Sequence, residues 1–327
     1  MINRRRFIAT LSTLGAAAAA APAWARRLLQ SAELPVRELR GGAKAFLGDG
    51  GIVLGQPSEA GPLLIDAKFA HTAGLLARQS REVLGAAPTL LIDTHHHADH
   101  SGGNWAFTKD ATIIAHQNLS PRLAGNLPAY RSRAEADLAE RRRRGDSEAD
   151  LRAAAEQLET IAALTVADFA PDREVAGELV LDHGGVKIEL RHFGPGHTDN
   201  DLVVFLPQAN ILHLGDLLFH ELHPFIDRSA RASTIGWQNS LREAMKLGDS
   251  KTIVIPGHGE IADMSALPKM IDYFDQLRGI VTDAIRAGTP RDVVAAMKPE
   301  AFRGRGFEQL QARALEAMYD EISEEQH

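Results

Sequence analysis

Short apolar runs separated by glycine-rich turns predict β-structure in the first part of the chain. The runs at 46–47, 52–54 and 63–65 lie within Ala43–Asp66, and turns at 48–51 and 55–61 separate them. This alternation is typical of an antiparallel meander. Apolar residues at helical spacing then predict a helix over Ala70–Leu84, and the apolar runs Thr89–Asp93 and Thr112–Ala115 predict buried strands.

The rest of the chain alternates predicted strands with predicted helices. Residues 130–164 are rich in Ala, Glu and Arg with a break at 145–147, which predicts a helical hairpin within an insertion at 120–164. Further strands are predicted at Glu178–Leu181, Val186–His192, Leu202–Leu206, Ile211–Leu214 and Thr252–Ile255, and further helices at Trp237–Leu247, Leu267–Ala287, Pro290–Met297 and Phe307–Ile322. This order predicts one α/β domain with two sheets between outer helices, ending in C-terminal helices at 267–327.

The first 25 residues have the pattern of an export signal. Basic residues at 4–6 precede an apolar run at 7–21, and Ala23-Trp24-Ala25 is an A-x-A cleavage pattern. The sequence Arg-Arg-Arg-Phe-Ile at 4–8 resembles a twin-arginine signal. We therefore predict a cleavable signal at 1–25, a catalytic domain at 26–327, and a periplasmic or secreted location. A general secretory signal and an amphipathic helix are the alternatives.

Composition narrows the chemistry that this domain can carry. The chain of 327 residues has 14 His and no Cys, so disulfides, thiolate zinc sites, Fe–S clusters and cysteine nucleophiles are excluded. Any metal must be bound by His, Asp or Glu. A net charge of −7 gives no general basic footprint for nucleic acid. We expect a small-molecule substrate, no nucleic acid partner, and no integral membrane segment once the signal is removed.

A cluster of histidines follows the predicted strand Thr89–Asp93. The segment Thr94–His100 contains His95, His96, His97, Asp99 and His100. His95 and His97 can point the same way from an extended turn, whereas Asp99 and His100 begin the next turn and can reach a second point. Three nitrogen ligands with an open fourth position are typical of catalytic rather than structural zinc.

Three later segments each place a potential metal ligand just past a predicted strand. The first is Gly-Pro-Gly-His-Thr at 194–198, which carries His197. The second is Gly-Asp at 215–216, which carries Asp216, and the third is Pro-Gly-His-Gly at 256–259, which carries His258. Glycine allows the backbone to approach closely and to adopt positive φ. Loops held by a rigid sheet fix ligand groups in place, so these segments predict a metal site at the strand ends.

The motif His95-x-His97-x-Asp99-His100, followed by His197, Asp216 and His258, resembles the metallo-β-lactamase superfamily over about residues 43–265. The resemblance implies an αββα sandwich with the metal site at one edge between the sheets. It implies a first metal bound by His95, His97 and His197, a second bound by Asp99, His100 and His258, and a bridging Asp216. The ligand types favour two zinc ions, although iron or manganese also accepts such ligands.

The same resemblance implies a dinuclear zinc hydrolase. A metal-bound hydroxide would attack the carbonyl of an ester, lactone, thioester or β-lactam, and Asp99 is the predicted catalytic residue that orients it or carries its proton. Two alternatives stay open: an iron-dependent oxidoreductase of the persulfide-dioxygenase type, and a noncatalytic periplasmic metal-binding module.

Departures from subfamily patterns bear on the substrate. β-Lactamase activity is allowed but not favoured, because related β-lactamases place Cys or Ser at the position of Asp216. Phe219, His223 and Trp237 follow Asp216 in the chain and are the predicted substrate contacts. The insertion at 120–164 is predicted to form a lid or rim over the cleft. The oligomeric state is not predicted.

Overall fold

Two β-sheets form the centre of the molecule. The computed structural model describes residues 33–325, so the predicted export signal at 1–25 lies outside the described residues. Within the described range the chain builds a seven-stranded and a six-stranded sheet. Helices cover the outer faces of both sheets, and the predicted α/β fold of two sheets between helices is confirmed.

The first sheet takes its strands from the N-terminal half in chain order. They are β1 (Val36–Glu38), β2 (Lys44–Phe46), β3 (Val53–Gln56), β4 (Leu63–Ile65), β5 (Leu90–Ile92), β6 (Thr112–His116) and β7 (Arg173–Val175). Strands β1 to β4 form the predicted antiparallel meander, and β4 to β7 are parallel. Because parallel neighbours end at the same edge, β4 and β5 bring their following loops together.

The second sheet has the order β13-β12-β11-β10-β9-β8. Its strands are β8 (Glu178–His183), β9 (Val186–Arg191), β10 (Val203–Leu206), β11 (Ile211–Phe219), β12 (Ile253–His258) and β13 (Ala262–Asp263). Only the β11–β12 pair is parallel. Strand β11 extends five residues beyond its predicted end at Leu214, so Asp216 lies within the strand and not in a loop after it.

The apolar runs of the first sheet are continuous because both faces of these strands are buried. In β4, Leu63 and Ile65 face the second sheet, while Leu64 faces the outer layer. In β5, Leu90 and Ile92 again face the second sheet and Leu91 faces outward. Side chains alternate along a strand, so a strand buried on both sides needs apolar residues at every position.

Seven α-helices cover these sheets in the described range 33–325. They are α1 (Ala73–Leu84), α2 (Ser120–Arg144), α3 (Glu148–Ala163), α4 (Thr234–Ala244), α5 (Ala266–Arg286), α6 (Arg291–Ala295) and α7 (Glu308–Glu325). Helix α1 packs on the first sheet, and α4, α5 and α7 pack on the second. None of the helices in this range is both long and apolar enough to cross a membrane.

Helices α2 and α3 form the hairpin within the insertion, and its break falls where the sequence predicts it. Helix α2 ends at Gly145 in the left-handed region, with φ of 79°. The side chain of Ser147 then accepts a hydrogen bond from the backbone N–H of Asp150 and begins α3. Leu123 and Tyr130 of α2 are buried, so the hairpin packs firmly on the domain beneath it.

Three short strands are not predicted by the sequence pattern, and one physical reason accounts for all three. Strands β1, β7 and β13 each lie at the edge of a sheet. Their sequences are Val-Arg-Glu, Arg-Glu-Val and Ala-Asp. Edge strands face solvent on one side and carry charged residues that block pairing with other chains, so they lack the apolar runs by which the inner strands are predicted.

Candidate metal centre

The predicted metal ligands converge from four strand ends. The loop after β5 carries His95, His97, Asp99 and His100, the loop after β9 carries His197, strand β11 carries Asp216, and β12 ends at His258. These side chains form two groups, and within each group the ligand atoms lie within 4.8 Å of one another. All seven predicted ligands therefore belong to one centre between the sheets.

The first group consists of three histidines and Asp216. Nδ1 of His97 lies 3.1 Å from Nε2 of His95 and 2.9 Å from Nε2 of His197. Oδ2 of Asp216 lies 3.4 Å from Nε2 of His197 and 3.7 Å from Nε2 of His95. Three ring nitrogens and one carboxylate oxygen thus face a common point, which is the ligand arrangement of a four-coordinate cation.

The second group surrounds the other oxygen of Asp216. Oδ1 of Asp216 lies 3.1 Å from Nε2 of His100 and 3.4 Å from Nε2 of His258. Oδ2 of Asp99 lies 3.2 Å from Nε2 of His258 and 3.8 Å from Nε2 of His100. Asp216 therefore presents one carboxylate oxygen to each group, as a bridging ligand must.

The buried atoms of this centre fit metal ions. Nε2 of His100 and Oδ1 of Asp216 are both buried and have no hydrogen-bond partner among the described residues. Such unpaired polar atoms are costly in a protein interior unless something else satisfies them. Space for the Asp216 carboxylate depends on Gly257, because a Cβ on that residue would lie 1.9 Å from Oδ1 of Asp216.

Burial and charge give the histidines of this centre different protonation. Burial holds the pKa of His95 well below its ordinary value and lowers that of His197 to about 3. Burial also disfavours the charged form of His258, but the carboxylates of Asp216 and Asp99 outweigh it and raise the pKa to about 9. Burial also disfavours the charged form of His97, but its hydrogen-bonded carboxylate partner outweighs burial and raises the pKa of His97. Neutral imidazole is the form that binds a metal, so His97 and His258 must each release a proton when a cation binds.

A buried carboxylate, Asp66, orients two histidines from the end of β4. Its Oδ2 accepts hydrogen bonds from Nδ1 of His100 at 2.7 Å and from Oγ1 of Thr94 at 2.9 Å. Oγ1 of Thr94 in turn lies 3.1 Å from Nδ1 of His95 and accepts a hydrogen bond from it. This chain fixes the Nδ1–H tautomer of both rings and leaves each Nε2 free to bind a cation.

A second carboxylate, Asp227, orients His97. Nε2 of His97 donates to Oδ2 of Asp227 at 2.9 Å, and Asp227 is held by Oγ of Ser229 and the backbone N–H of Ala230. His97 therefore turns Nδ1 toward the first group. Although His96, His97 and Asp227 also lie close together, His96 is occupied elsewhere, because its Nδ1 lies 3.1 Å from Nδ2 of Asn200.

The three predicted substrate contacts need correction. Phe219, His223 and Trp237 are each at most 2% exposed, so they offer a substrate almost no surface. The ring of Phe219 stacks on His258 and that of Trp237 packs against His197. His223 lies 3.0 Å from the hydroxyl of Tyr273. Two of these residues support metal ligands from behind, and the third belongs to the helical core.

Three further residues near the ligands have no predicted role. They are Asp66, Asp227 and Phe307. Asp66 has a sequence signal, because it directly follows the buried run Leu63–Ile65 in a strand parallel to β5. Asp227 and Phe307 approach the centre only through tertiary packing.

The fold and the ligand arrangement agree with a comparison against known families. The sequence model described as metallo-beta-lactamase superfamily matches residues 52–258, more than half of the chain. The chain therefore belongs to the metallo-beta-lactamase superfamily, as the sequence motifs predict.

Individual relatives share only part of their length with this chain. Metallo-beta-lactamase type 2 of Bacillus cereus is 34% identical over 92 residues, which is 28% of this chain and 36% of that protein. The same enzyme type of Bacteroides fragilis is 28% identical over 90 residues, again 28% of this chain and 36% of that protein. The matched segment thus spans about a third of these curated relatives.

Solved structures match over a longer stretch at lower identity. The metallo-beta-lactamase from Pontibacter korlensis has a TM-score of 0.57 at 18% identity, over 74% of this chain and 99% of that chain. The DIM-1 metallo-beta-lactamase has a TM-score of 0.54 at 18% identity, over 75% of this chain and 98% of that chain. At these identities the similarity establishes the fold alone.

Proposed function

We propose that this protein is a dinuclear zinc hydrolase that cleaves an ester, lactone, thioester or β-lactam bond. The observation that carries the proposal is Asp216, whose two oxygens face two separate ligand groups. A protein that only stored or carried one metal ion would need one such group. Zinc suits four-coordinate nitrogen and oxygen ligands.

The exposed side of the centre is where a substrate would enter. The side chains of His97 and His258 are each 15% exposed and that of Asp99 is 20% exposed, whereas Asp216 is 5% exposed. When bound, two zinc ions supply a water-derived nucleophile at neutral pH and polarise a carbonyl. Asp99 is the ligand placed to accept the proton of the attacking water at its carboxylate and to pass it to the leaving group.

The remaining residues of the centre hold these groups in position. Asp66 and Asp227 fix the tautomers of His100 and His97, so the ligating nitrogens need no rearrangement when a cation binds. Phe219 and Trp237 exclude water behind His258 and His197. A β-lactam belongs among the candidate substrates because the named relatives are metallo-beta-lactamases.

Metal analysis and a substrate panel test the proposal together. Protein purified without added metal should contain two zinc ions per chain and should hydrolyse at least one of nitrocefin, an aryl ester, a lactone or a thioester. Asp99→Ala and His197→Ala should each lower kcat/KM by at least about 100-fold with an unchanged circular dichroism spectrum. His183→Ala, in the hairpin of β8 and β9 outside the ligand groups, is the control. One iron per chain and no hydrolysis would overturn the proposal in favour of an oxidoreductase.

We also propose that the protein is exported through a twin-arginine signal. The support is the sequence Arg-Arg-Arg-Phe-Ile at 4–8 followed by an apolar run and the cleavage pattern at 23–25. A chain with lysine at all of positions 4–6 should stay in the cytoplasm at full length. Periplasmic fractions of cells expressing the unaltered chain should contain protein that begins at residue 26. Equal export of both chains would contradict the proposal.

A further inference from the structure

We propose that Phe225 and Phe307 form an apolar clamp on either side of the metal centre and select substrates with apolar or aromatic groups beside the scissile carbonyl. This inference rests on the proposed hydrolase function and specifies its substrate class. Neither residue belongs to the ligand groups, and both side chains are only partly buried. We call them the phenylalanine pair.

Phe307 faces the second ligand group. Its ring centroid lies 5.6 Å from that of His258, with an edge-to-face angle of 61°, and 6.4 Å from that of Phe219. Phe219 is buried behind His258, whereas Phe307 keeps partial exposure. Phe307 therefore extends the apolar surface that surrounds His258 out to the solvent-facing side.

The backbone at Phe307 is held in a conformation that a bulky residue rarely adopts. Its φ is +56°, in the left-handed region where glycine is normally found. The preceding Gly306 anchors it, because its N–H donates to the carbonyl of Glu221 at 3.1 Å and its carbonyl accepts from His223 at 2.9 Å. Strain of this kind persists when the surrounding structure enforces it, and it concentrates at functional sites.

Phe225 faces the first ligand group. It lies between β11 and α4, and its ring centroid is 5.7 Å from that of His97 and 6.4 Å from that of His197. His97 is the most exposed histidine of the first group, so Phe225 borders the same open side of the centre. One aromatic ring thus stands beside each ligand group.

The pair defines what can lie across the two metal positions. A carbonyl bound between the groups would place its acyl side against one ring and its leaving group against the other. Aromatic rings make favourable contacts with apolar or aromatic substituents of a substrate and make no such contacts with a polyanion. Phe225 lies within the family match at 52–258 and Phe307 lies beyond it, so only the Phe307 side of this selectivity would come from the C-terminal segment of this chain.

Thiol binding to the zinc-loaded protein tests the clamp without relying on turnover. Benzyl mercaptan and 2-mercaptoethanol both offer a sulfur to zinc, but only the first offers an apolar ring. We expect isothermal titration calorimetry to show that Phe225→Ala and Phe307→Gly each weaken the binding of benzyl mercaptan by about tenfold. The affinity for 2-mercaptoethanol should change less than twofold. Glycine is chosen at 307 because it relieves the strained φ while removing the ring.

Control variants distinguish the effect of removing the phenylalanine pair from the effects of unfolding or of zinc loss. Phe307→Leu keeps an apolar side chain and should retain more than half of the benzyl mercaptan preference. Val180→Ala removes an exposed apolar side chain on β8 and should change neither affinity. Each variant should retain two zinc ions per chain. Equal weakening of both thiols, or no change for either, would overturn the clamp.

Hydrolysis supplies an independent readout of the same idea. For aryl esters, the ratio of kcat/KM for a phenylacetyl ester to that for an acetyl ester should fall about tenfold in both variants, with the change in KM rather than kcat. If the unaltered protein hydrolyses neither ester, the proposed function fails on these substrates while the thiol experiment still decides the clamp. If hydrolysis occurs but the ratio is unchanged, the clamp fails and the hydrolase stands.

Discussion

Nε2 of His97 lies 2.9 Å from Oδ2 of Asp227, on the side of the ring opposite the Nδ1 atom that faces His95 and His197. His100 has the mirror arrangement, because its Nδ1 lies 2.7 Å from Oδ2 of Asp66 and its Nε2 faces Asp216. Each ligand group therefore contains one histidine that is bonded directly to its own carboxylate. Asp66 also reaches His95 of the first group, but only through the hydroxyl of Thr94. We therefore expect each metal position to depend more strongly on one of the two carboxylates.

Asp227→Asn should weaken the first metal position selectively. The amide loses the negative charge that fixes the His97 tautomer, and such changes typically cost 10–100-fold in metal affinity. We expect zinc at the first position to bind about tenfold more weakly, with the second position changed less than threefold. Competition with a chromophoric chelator measures both affinities.

Asp66→Asn is the matched variant for the second position. It should weaken zinc bound by Asp99, His100 and His258 about tenfold and leave the first position the less affected of the two. A common loss of affinity at both positions in both variants would contradict separate support of the two groups. That result would place the coupling in the shared ligand Asp216.

Gly257→Ala should expel the bridging carboxylate. The added Cβ would lie 1.9 Å from Oδ1 of Asp216, and the nearby backbone of Gly215 leaves it no room to shift. We expect less than one zinc per chain after dialysis and a loss of hydrolysis of at least about 100-fold. Metal analysis of the purified variant is the deciding measurement.

The control for this variant is Gly279→Ala. Gly279 lies on the exposed face of α5, with no atom within 4 Å of an added Cβ. Alanine there should raise the free energy of unfolding by about 1 kcal/mol, because glycine is a poor helix former. Two zinc ions in Gly257→Ala would show that Asp216 moves without losing its role.

The sequence predicts the ligands far better than their surroundings, and the reason is physical. His95, His97, Asp99 and His100 share one loop, and glycines mark the later ligand segments, so local pattern suffices. Phe307 approaches His258 only because Gly306 pairs with Leu222, a contact between segments more than eighty residues apart. Local pattern carries no signal for such pairing.

The substrate contacts were predicted wrongly for a related reason. Phe219 and Trp237 are near the ligands, as their position after Asp216 suggests, but the side of the ligands on which they lie depends on strand direction and helix packing. Strand β11 continues through Phe219, so that ring turns into the core. The predicted role of residues 120–164 as a lid or rim stays a prediction.

Arg122→Ala should destabilise the attachment of the helical hairpin. The guanidinium of Arg122 donates to both carboxylate oxygens of Asp199, at 2.8 Å and 2.5 Å, and Asp199 is nearly buried. Removing the arginine leaves that carboxylate without its cation and with only the side-chain amide of Asn200 as a donor. We expect the free energy of unfolding in urea to fall by about 2 kcal/mol.

Two further variants test whether the paired geometry matters. Arg122→Lys should recover less than half of the loss, because an ammonium cannot donate to both oxygens in the same way. Arg131→Ala breaks an exposed pair with Glu135 on the same helix and should cost no more than about 0.5 kcal/mol. Full rescue by lysine would show that charge alone holds the hairpin.

His223 should make the folded protein less stable as the pH falls below 6.5. Burial, with the nearby cations Arg305 and Lys298, lowers the pKa of His223 from 6.5 to about 4. Between these values the unfolded chain binds a proton that the folded protein excludes, so the free energy of unfolding decreases with falling pH. Glutamine can keep the hydrogen bond to Tyr273 but does not titrate. Urea unfolding of the zinc-loaded protein should therefore show that the stability advantage of the unaltered protein over His223→Gln shrinks from pH 7 to pH 4.5.

Arg305→Met removes one of the two cations and should make the pH dependence shallower without abolishing it. Parallel pH profiles for the unaltered protein and His223→Gln would show that His223 titrates alike in the folded and unfolded chain.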